Sequence, residues 1–251
     1  MKRSAKQLLL GAATVAFSTL SLADQARIAV AANFAEPINA IAAVFGKTTG
    51  HTLSVTLGAT GKLYAQIKNG APFDVILAAN TTAPAALEKD GLAQAGSSFT
   101  FANGKLVLWS ADGSKVDANG EVLKGKGFRK LAYANPKTAP YGEAAVQTLD
   151  SLGLTRALTP KLVQGESIGQ AFNFVHTGNA ELGFVAMSQV LEGGKLKSGS
   201  MWVVPQTLYS PIRQNAVLLN HGANNPAALA LVKLLQSASI KELIRSYGYD
   251  I

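Results

Sequence analysis

The sequence predicts an α/β fold with mostly parallel sheets and helices on both faces. Two observations carry this. Short apolar, β-branched runs alternate with stretches whose apolar residues recur at helical spacing, and the alternation runs through two consecutive series. A third observation bears on domains: no internal repeat or low-complexity linker separates the series. That fits two lobes with strands crossing between them, and pattern alone fits one larger α/β domain equally well.

In the first series, Arg27 to Ala32 reads as a buried strand. Pro37 suits a first helical turn, and Ile38, Ile41, Ala42 and Phe45 form one apolar helical face that ends near Gly50. Leu53 to Leu57 is a second strand, Gly58 to Gly61 a turn, and Leu63, Tyr64 and Ile67 the helix that follows. Asp74 to Ala79 is a third strand and Ala83 to Leu92 a third helix. In the second series, strands are expected at Leu106 to Trp109, Leu131 to Asn135, Lys161 to Gln164, Glu181 to Ala186 and Met201 to Val204. Helices are expected over Gly142 to Leu152 and from Ile168 through Val175. Asp112 to Gly127, rich in Gly and Lys, reads as a solvated loop, and Trp109 is expected at the lobe interface. Asn215 to Leu219 is a late strand, followed by helices over Ala227 to Leu235 and Ile240 to Tyr247. The expected boundaries are a first lobe of 24–106 plus 212–251 and a second of 107–211.

The amino terminus reads as an export signal. Lys2, Arg3 and Lys6 precede a charge-free apolar run from Leu8 to Leu22, and Ser21-Leu22-Ala23 supplies small residues at the cleavage positions. The run is about 15 residues, short of the roughly 20 a membrane span requires. Residues 1–23 are therefore expected to be a signal peptide cleaved after Ala23, placing the protein in a bacterial periplasm. Cleavage removes three basic residues and no acidic one, so the formal charge of +8 becomes +5 on a chain of 228 residues. The remaining basic residues are scattered, with no stripe that marks a nucleic-acid surface. Cysteine is absent, which excludes disulfide staples, thiolate metal sites, a cysteine nucleophile and a lipid anchor on cysteine. Asn80-Thr81-Thr82 fits a glycosylation acceptor only weakly.

Two motifs imitate enzymes. Gly165-Glu166-Ser167-Ile168-Gly169 fits the G-x-S-x-G nucleophile elbow, with Glu181 or Glu192 and His221 in a permissible order. Ser167 serves equally as the cap of the next helix, and no oxyanion segment of the HGGG type precedes it. Gly58-Ala59-Thr60-Gly61-Lys62 resembles half of a phosphate loop, but Thr56 and Leu63 stand where the full pattern needs Gly and a hydroxyl. His51, His176 and His221 have no metal-ligand spacing and read as surface or cap residues. No catalytic residue, metal site or cofactor is expected.

What survives is the physics of helix starts. Ala31 to Phe34, Gly58 to Lys62, Ala139 to Gly142 and Glu166 to Ile168 each join a strand region to a helix. Converging in a cleft, such turns offer neutral N–H donors and positive dipole ends to an anion, although every βα connection has this look.

The chain resembles the periplasmic molybdate-binding proteins, the soluble receptors of molybdate ABC importers. The segments that carry the resemblance are Val30-Ala31-Ala32-Asn33-Phe34, Gly58 through Leu63, Asn69 through Val75, Ala134-Asn135-Pro136, Ala139-Pro140-Tyr141-Gly142, Glu181 through Val185 and Tyr247-Gly248-Tyr249. They run in order from about Arg27 to the C-terminus. The resemblance implies a two-lobed type II periplasmic binding protein, each lobe a mostly parallel sheet flanked by helices. It implies ligand contacts from Ala32, Asn33, Thr60, Tyr141 and Ile168. Where enteric-like members carry a tyrosine after the Gly-Ile-Val strand this chain has Ala186, so the Tyr141 phenol is a candidate substitute. Molybdate or tungstate is the implied ligand and a membrane permease the implied partner, with the receptor acting as a monomer. None of the five residues is a carboxylate, which favours a fully deprotonated oxyanion over hydrogen phosphate. A receptor for sulfate, thiosulfate or another oxyanion, a secreted serine hydrolase built on Ser167, and an envelope protein whose cleft serves only protein contacts are the alternatives.

Overall fold

The computed structural model describes residues 23–251, and the predicted signal segment up to residue 22 lies outside the described residues. From the amino end the elements are β1 (Gln25–Ala31), α1 (Ala35–Thr49), β2 (Thr52–Gly58), α2 (Thr60–Lys68), β3 (Val75–Leu77), α3 (Thr82–Lys89) and β4 (Phe99–Gly104). Then come β5 (Leu106–Ser110), β6 (Leu131–Ala134), α4 (Pro140–Ser151), α5 (Thr155–Leu158), β7 (Leu162–Gly165), α6 (Ile168–His176), β8 (Leu182–Ala186) and α7 (Met187–Val190). The small strands β9 (Leu191–Glu192) and β10 (Lys195–Leu196) form a hairpin before β11 (Ser200–Val203), β12 (Ile212–Leu218), α8 (Pro226–Leu235) and α9 (Ala238–Ser246).

Two five-stranded sheets organise these elements, ordered β2-β1-β3-β12-β4 and β7-β6-β8-β5-β11. The two share one plan. Three parallel strands are followed by one antiparallel strand and an edge strand paired antiparallel to it. In each sheet the antiparallel strand is the one that has just crossed from the other. β5 follows β4 across the single residue Lys105, and β12 returns after β11. The protein is thus two-lobed, with paired crossings instead of a linker.

Burial explains why the sequence reads as it does. Ile28 and Val30 of β1 face α1 and α8, while Ala29 faces α2 and α3, so both faces of the strand are covered and the run is apolar throughout. On α1, Ile38, Ile41 and Phe45 are fully buried at the expected spacing. In the second lobe Ala145 and Leu149 of α4 and Ala171 and Val175 of α6 join Leu131, Leu182 and Phe184 in one core.

Two expectations need correction, and one strand was not expected at all. Strand β4 reads poorly because Asn103 and Gly104 dilute it, and only pairing with β12 makes it a strand. Residues 112–127 are not simply solvated: Val116 and Leu123 are buried, and Asp117 accepts the backbone N–H groups of Asn119, Glu121 and Val122. Trp109 does not lie between the lobes. It is buried in the second, stacks on Phe172 with ring centroids 5.2 Å apart, and donates to the Ser198 carbonyl.

Candidate functional site

The carboxyl ends of β1, β2, β6 and β7 point toward one place, and each is followed there by a helix start. After β1 comes a single 3-10 turn over Ala32–Phe34, and Thr60 opens α2 after the cap residue Ala59. Pro140 and Tyr141 open α4 after Ala139, and Ile168 opens α6 after Ser167. Ala32, Asn33, Thr60, Tyr141 and Ile168 together line one cavity between the lobes, with Ala79 and Ala139 completing its wall. No charged residue lines it. The cavity is far smaller than the roughly several hundred Å³ of sites for organic ligands, so it suits a small ion.

Each position has a local cause. The first N–H groups of a helix lack intrahelical acceptors, so the starts of α2, α4 and α6 present free donors. Proline at the first position of α4 costs no hydrogen bond, since its missing N–H would be unpaired anyway. Gly142 lets that helix approach β6: a Cβ there would sit 2.3 Å from the Ala134 carbonyl oxygen. Ser167 caps α6 by accepting the Gln170 N–H at 3.3 Å. Buried Gln189 fixes the same helix start, donating to the Ile168 carbonyl while accepting the Ala186 N–H. Thr60 Oγ1 accepts the Ala79 N–H at 3.0 Å, which leaves its own proton to donate elsewhere.

Behind the cavity lies a polar network that sequence reasoning missed. Asn33, 1% exposed, donates from Nδ2 to Gln214 Oε1 and to Tyr249 Oη, both at 2.9 Å. Its carbonyl accepts from Ser188 Oγ at 2.7 Å and from Tyr249 Oη at 3.0 Å. Gln214 Nε2 donates to the Tyr141 hydroxyl at 3.1 Å. That hydroxyl lies on Gly104, where a Cβ would be 2.0 Å away. The phenol considered as a replacement for a tyrosine at Ala186 is therefore held by Gln214 and the β4 backbone. Burial pushes the Tyr141 phenol well above its ordinary range, helped by the neighbouring Tyr249, and pushes Tyr249 up to about 12. Both stay neutral at physiological pH. Gln214, Tyr249 and Ser188 lie 155 to 216 residues from Asn33 in sequence, with no local pattern to announce them.

The enzyme-like motifs do not assemble. His221 sits beside the buried carboxylate of Asp74, Nδ1 to Oδ1 at 2.6 Å. Asp74 also accepts from the Arg27 N–H and from Asn225 Nδ2, tying together the strand ends opposite the cavity. Ser167 makes the cap contact, and Glu166 pairs with Lys62. His51, expected at the surface or at a cap, is buried and accepts the Asp24 N–H, whereas His176 ends α6 as expected. Among the described residues no cluster of three or more His, Asp or Glu side chains could hold a metal ion.

Residues 26–250 match the family described as bacterial extracellular solute-binding protein. The chain is 57% identical over 229 residues to the molybdate-binding protein ModA of Azotobacter vinelandii, covering 91% of each chain. It is 51% identical over 221 residues to that of Rhodobacter capsulatus, covering 88% of this chain and 86% of the relative. Among solved structures, an Azotobacter vinelandii periplasmic molybdate-binding protein superposes with a TM-score of 0.87 at 39% identity, covering 90% of this chain and 99% of the other. These relatives are binding proteins, not enzymes, and the two-lobed architecture is theirs. The chain belongs to the bacterial extracellular solute-binding protein family, alongside these molybdate-binding relatives.

Proposed function

We propose that the protein is a periplasmic receptor that binds molybdate, and tungstate with it, and delivers the anion to the permease of an ABC importer. The observation that carries this reading is the small cavity lined by Ala32, Asn33, Thr60, Tyr141 and Ile168, uncharged throughout and ringed by helix starts. A fully deprotonated tetrahedral oxyanion offers acceptors and no donors. N–H and O–H groups aimed at it replace its hydration without a counter-charge, and helix amino ends add favourable dipoles. The relatives named for molybdate support the same choice.

The lobes, 24–106 with 212–251 and 107–211, close on the anion as a hinged pair, and the closed form is what the permease reads. The receptor acts as a monomer, released by cleavage after Ala23. Calorimetric titration of the mature protein with molybdate, tungstate, sulfate and phosphate tests the ligand. Tight molybdate and tungstate binding with weak sulfate binding is expected. Sulfate bound as tightly as molybdate would make this a general dianion receptor. N-terminal sequencing of the exported protein tests processing, and a retained Met1 would overturn it.

A further inference from the structure

We propose that Gln214 and Tyr249 act as positioning residues that decide which end of the Asn33 side-chain amide faces the cavity, and thereby whether the site accepts a bare oxyanion or a protonated one. The inference rests on the oxyanion reading above and deepens it.

The Asn33 amide nitrogen has two protons, and both are spent on Gln214 Oε1 and Tyr249 Oη. Its Oδ1 is buried and has no hydrogen-bond partner among the described residues. Since Asn33 lines the cavity, the end not turned to Gln214 and Tyr249 is the end left for the ligand. In this arrangement that end is an acceptor, which suits a ligand O–H and repels a bare oxygen anion. A half-turn of the planar amide places Nδ2 toward the cavity with two protons free, and Oδ1 between Gln214 and Tyr249.

The network can follow that half-turn: its five bonds become four, and the two Asn33 amide protons pass to the ligand. Gln214 turns its own amide, so that Nε2 donates to Asn33 Oδ1 and Oε1 accepts from the Tyr141 hydroxyl, the reverse of the bond in which that hydroxyl accepts from Gln214 Nε2. Tyr249 swings its one proton from the Asn33 carbonyl or Ser188 Oγ to Asn33 Oδ1. Ser188 Oγ goes on donating to the Asn33 carbonyl. Every member keeps at least one partner in both polarities except the end of Asn33 that meets the ligand. A fully deprotonated dianion therefore selects the polarity with Nδ2 inward. Both phenols keep their protons throughout, because burial holds them neutral.

Gln214→Glu at pH 8.5 tests this. An ionised carboxylate only accepts, so it holds Asn33 Nδ2 and fixes Oδ1 inward. Hydrogen arsenate is the matched probe, a dianion like molybdate that carries one O–H. Repulsion from the new charge weakens both anions alike, whereas a fixed relay changes their ratio. The preference for molybdate over hydrogen arsenate is expected to fall at least tenfold relative to wild type, and a parallel loss of both would overturn the relay. A second measurement needs no variant. In the wild-type protein, nuclear Overhauser contacts from the Asn33 side-chain NH2 to the Tyr249 and Gln214 side chains are expected to vanish when molybdate saturates the site. Molybdate binding with those contacts unchanged would defeat the relay alone, and no molybdate binding would defeat the receptor reading and the relay together.

Discussion

Lys62 and Glu166 meet between the lobes, Nζ to Oε2 at 2.5 Å, with 49% and 60% of their side chains exposed. One follows the turn that presents Thr60 and the other precedes the turn that presents Ile168, so the pair bridges the two turns that line the cavity. Beside it the Gly61 N–H donates to the Thr138 carbonyl at 2.9 Å, a second bond between the lobes. An exposed ion pair is worth about 0.2–1 kcal/mol. Lys62→Met or Glu166→Gln should therefore speed molybdate release by no more than about fivefold, with the difference shrinking as salt rises. Stopped-flow dissociation measures this. A hundredfold change would mean that the pair grips the anion itself.

Gly61 is a sharper probe of closure. A Cβ there would lie 3.1 Å from Thr138 Cα and 3.2 Å from its carbonyl oxygen, tight enough that the lobes must give way by a few tenths of an ångström. Gly61→Ala should weaken molybdate binding several-fold while leaving the melting temperature of the ligand-free protein within about 2 °C of wild type, since the three atoms nearest the new methyl group all belong to Thr138 of the opposite lobe. A large drop in ligand-free stability would show that the clash is not relieved by opening.

Thr60 has two duties, and substitutions separate them. Its oxygen accepts the Ala79 N–H, and its proton is free for the anion. A hydrogen bond to a charged group is worth about 1.5–3 kcal/mol, so Thr60→Ala should weaken molybdate binding roughly ten- to a hundredfold. It should also cost about 1 kcal/mol of stability through the orphaned Ala79 N–H. Thr60→Ser keeps both bonds and should restore both values. Unchanged affinity in the alanine variant would remove Thr60 from the anion's ligands.

The four turns that hold the cavity residues were legible because each joins a strand to a helix start, a place that local pattern finds, whereas the choice of Ala32, Asn33, Thr60, Tyr141 and Ile168 within them rests on the family resemblance. The α/β alternation was legible for a similar reason, since both faces of β1 and β8 are buried and read as apolar runs, but pattern alone did not separate two lobes from one larger domain. Legibility stops where a property depends on a distant partner. Gln214 sits in an antiparallel strand whose sequence shows no reason for a fully buried amide, and that reason is Asn33, 181 residues earlier. Tyr249 lies past the last helix and looks like part of a tail, yet it is 4% exposed and touches both Asn33 and Ser188. The same limit explains Trp109, placed by its stacking on Phe172 and not by its position at a strand end.

Ser167 distinguishes a cap from a nucleophile. Its Oγ accepts the Gln170 N–H and opens α6. Losing such a cap costs about 0.5–2 kcal/mol. Ser167→Ala should lower unfolding stability by that amount and weaken molybdate binding only moderately, because the donor proposed at this turn is the backbone of Ile168. Activated esters should not be turned over by either protein. Hydrolysis by wild type that disappears in the variant would restore the hydrolase reading.

Tyr249 gives the alkaline limit of the site. Its phenol titrates near 10 when solvated and at about 12 in the folded protein, because burial penalises the phenolate. Between those values the unfolded chain has released the proton and the native protein still holds it. The native state then binds more protons than the unfolded state, and stability falls as pH rises. The contribution is intact below pH 10 and lost by about pH 12, and at about 1.4 kcal/mol per unit it amounts to about 3 kcal/mol. Tyr249→Phe should be less stable than wild type at pH 8, where it lacks the bonds to Asn33 and Ser188. The gap should narrow steadily from pH 9.5 to 11.5 in urea unfolding, since phenylalanine has no proton to lose. Parallel declines for the two proteins across that window would mean that the phenol is not held neutral behind the cavity.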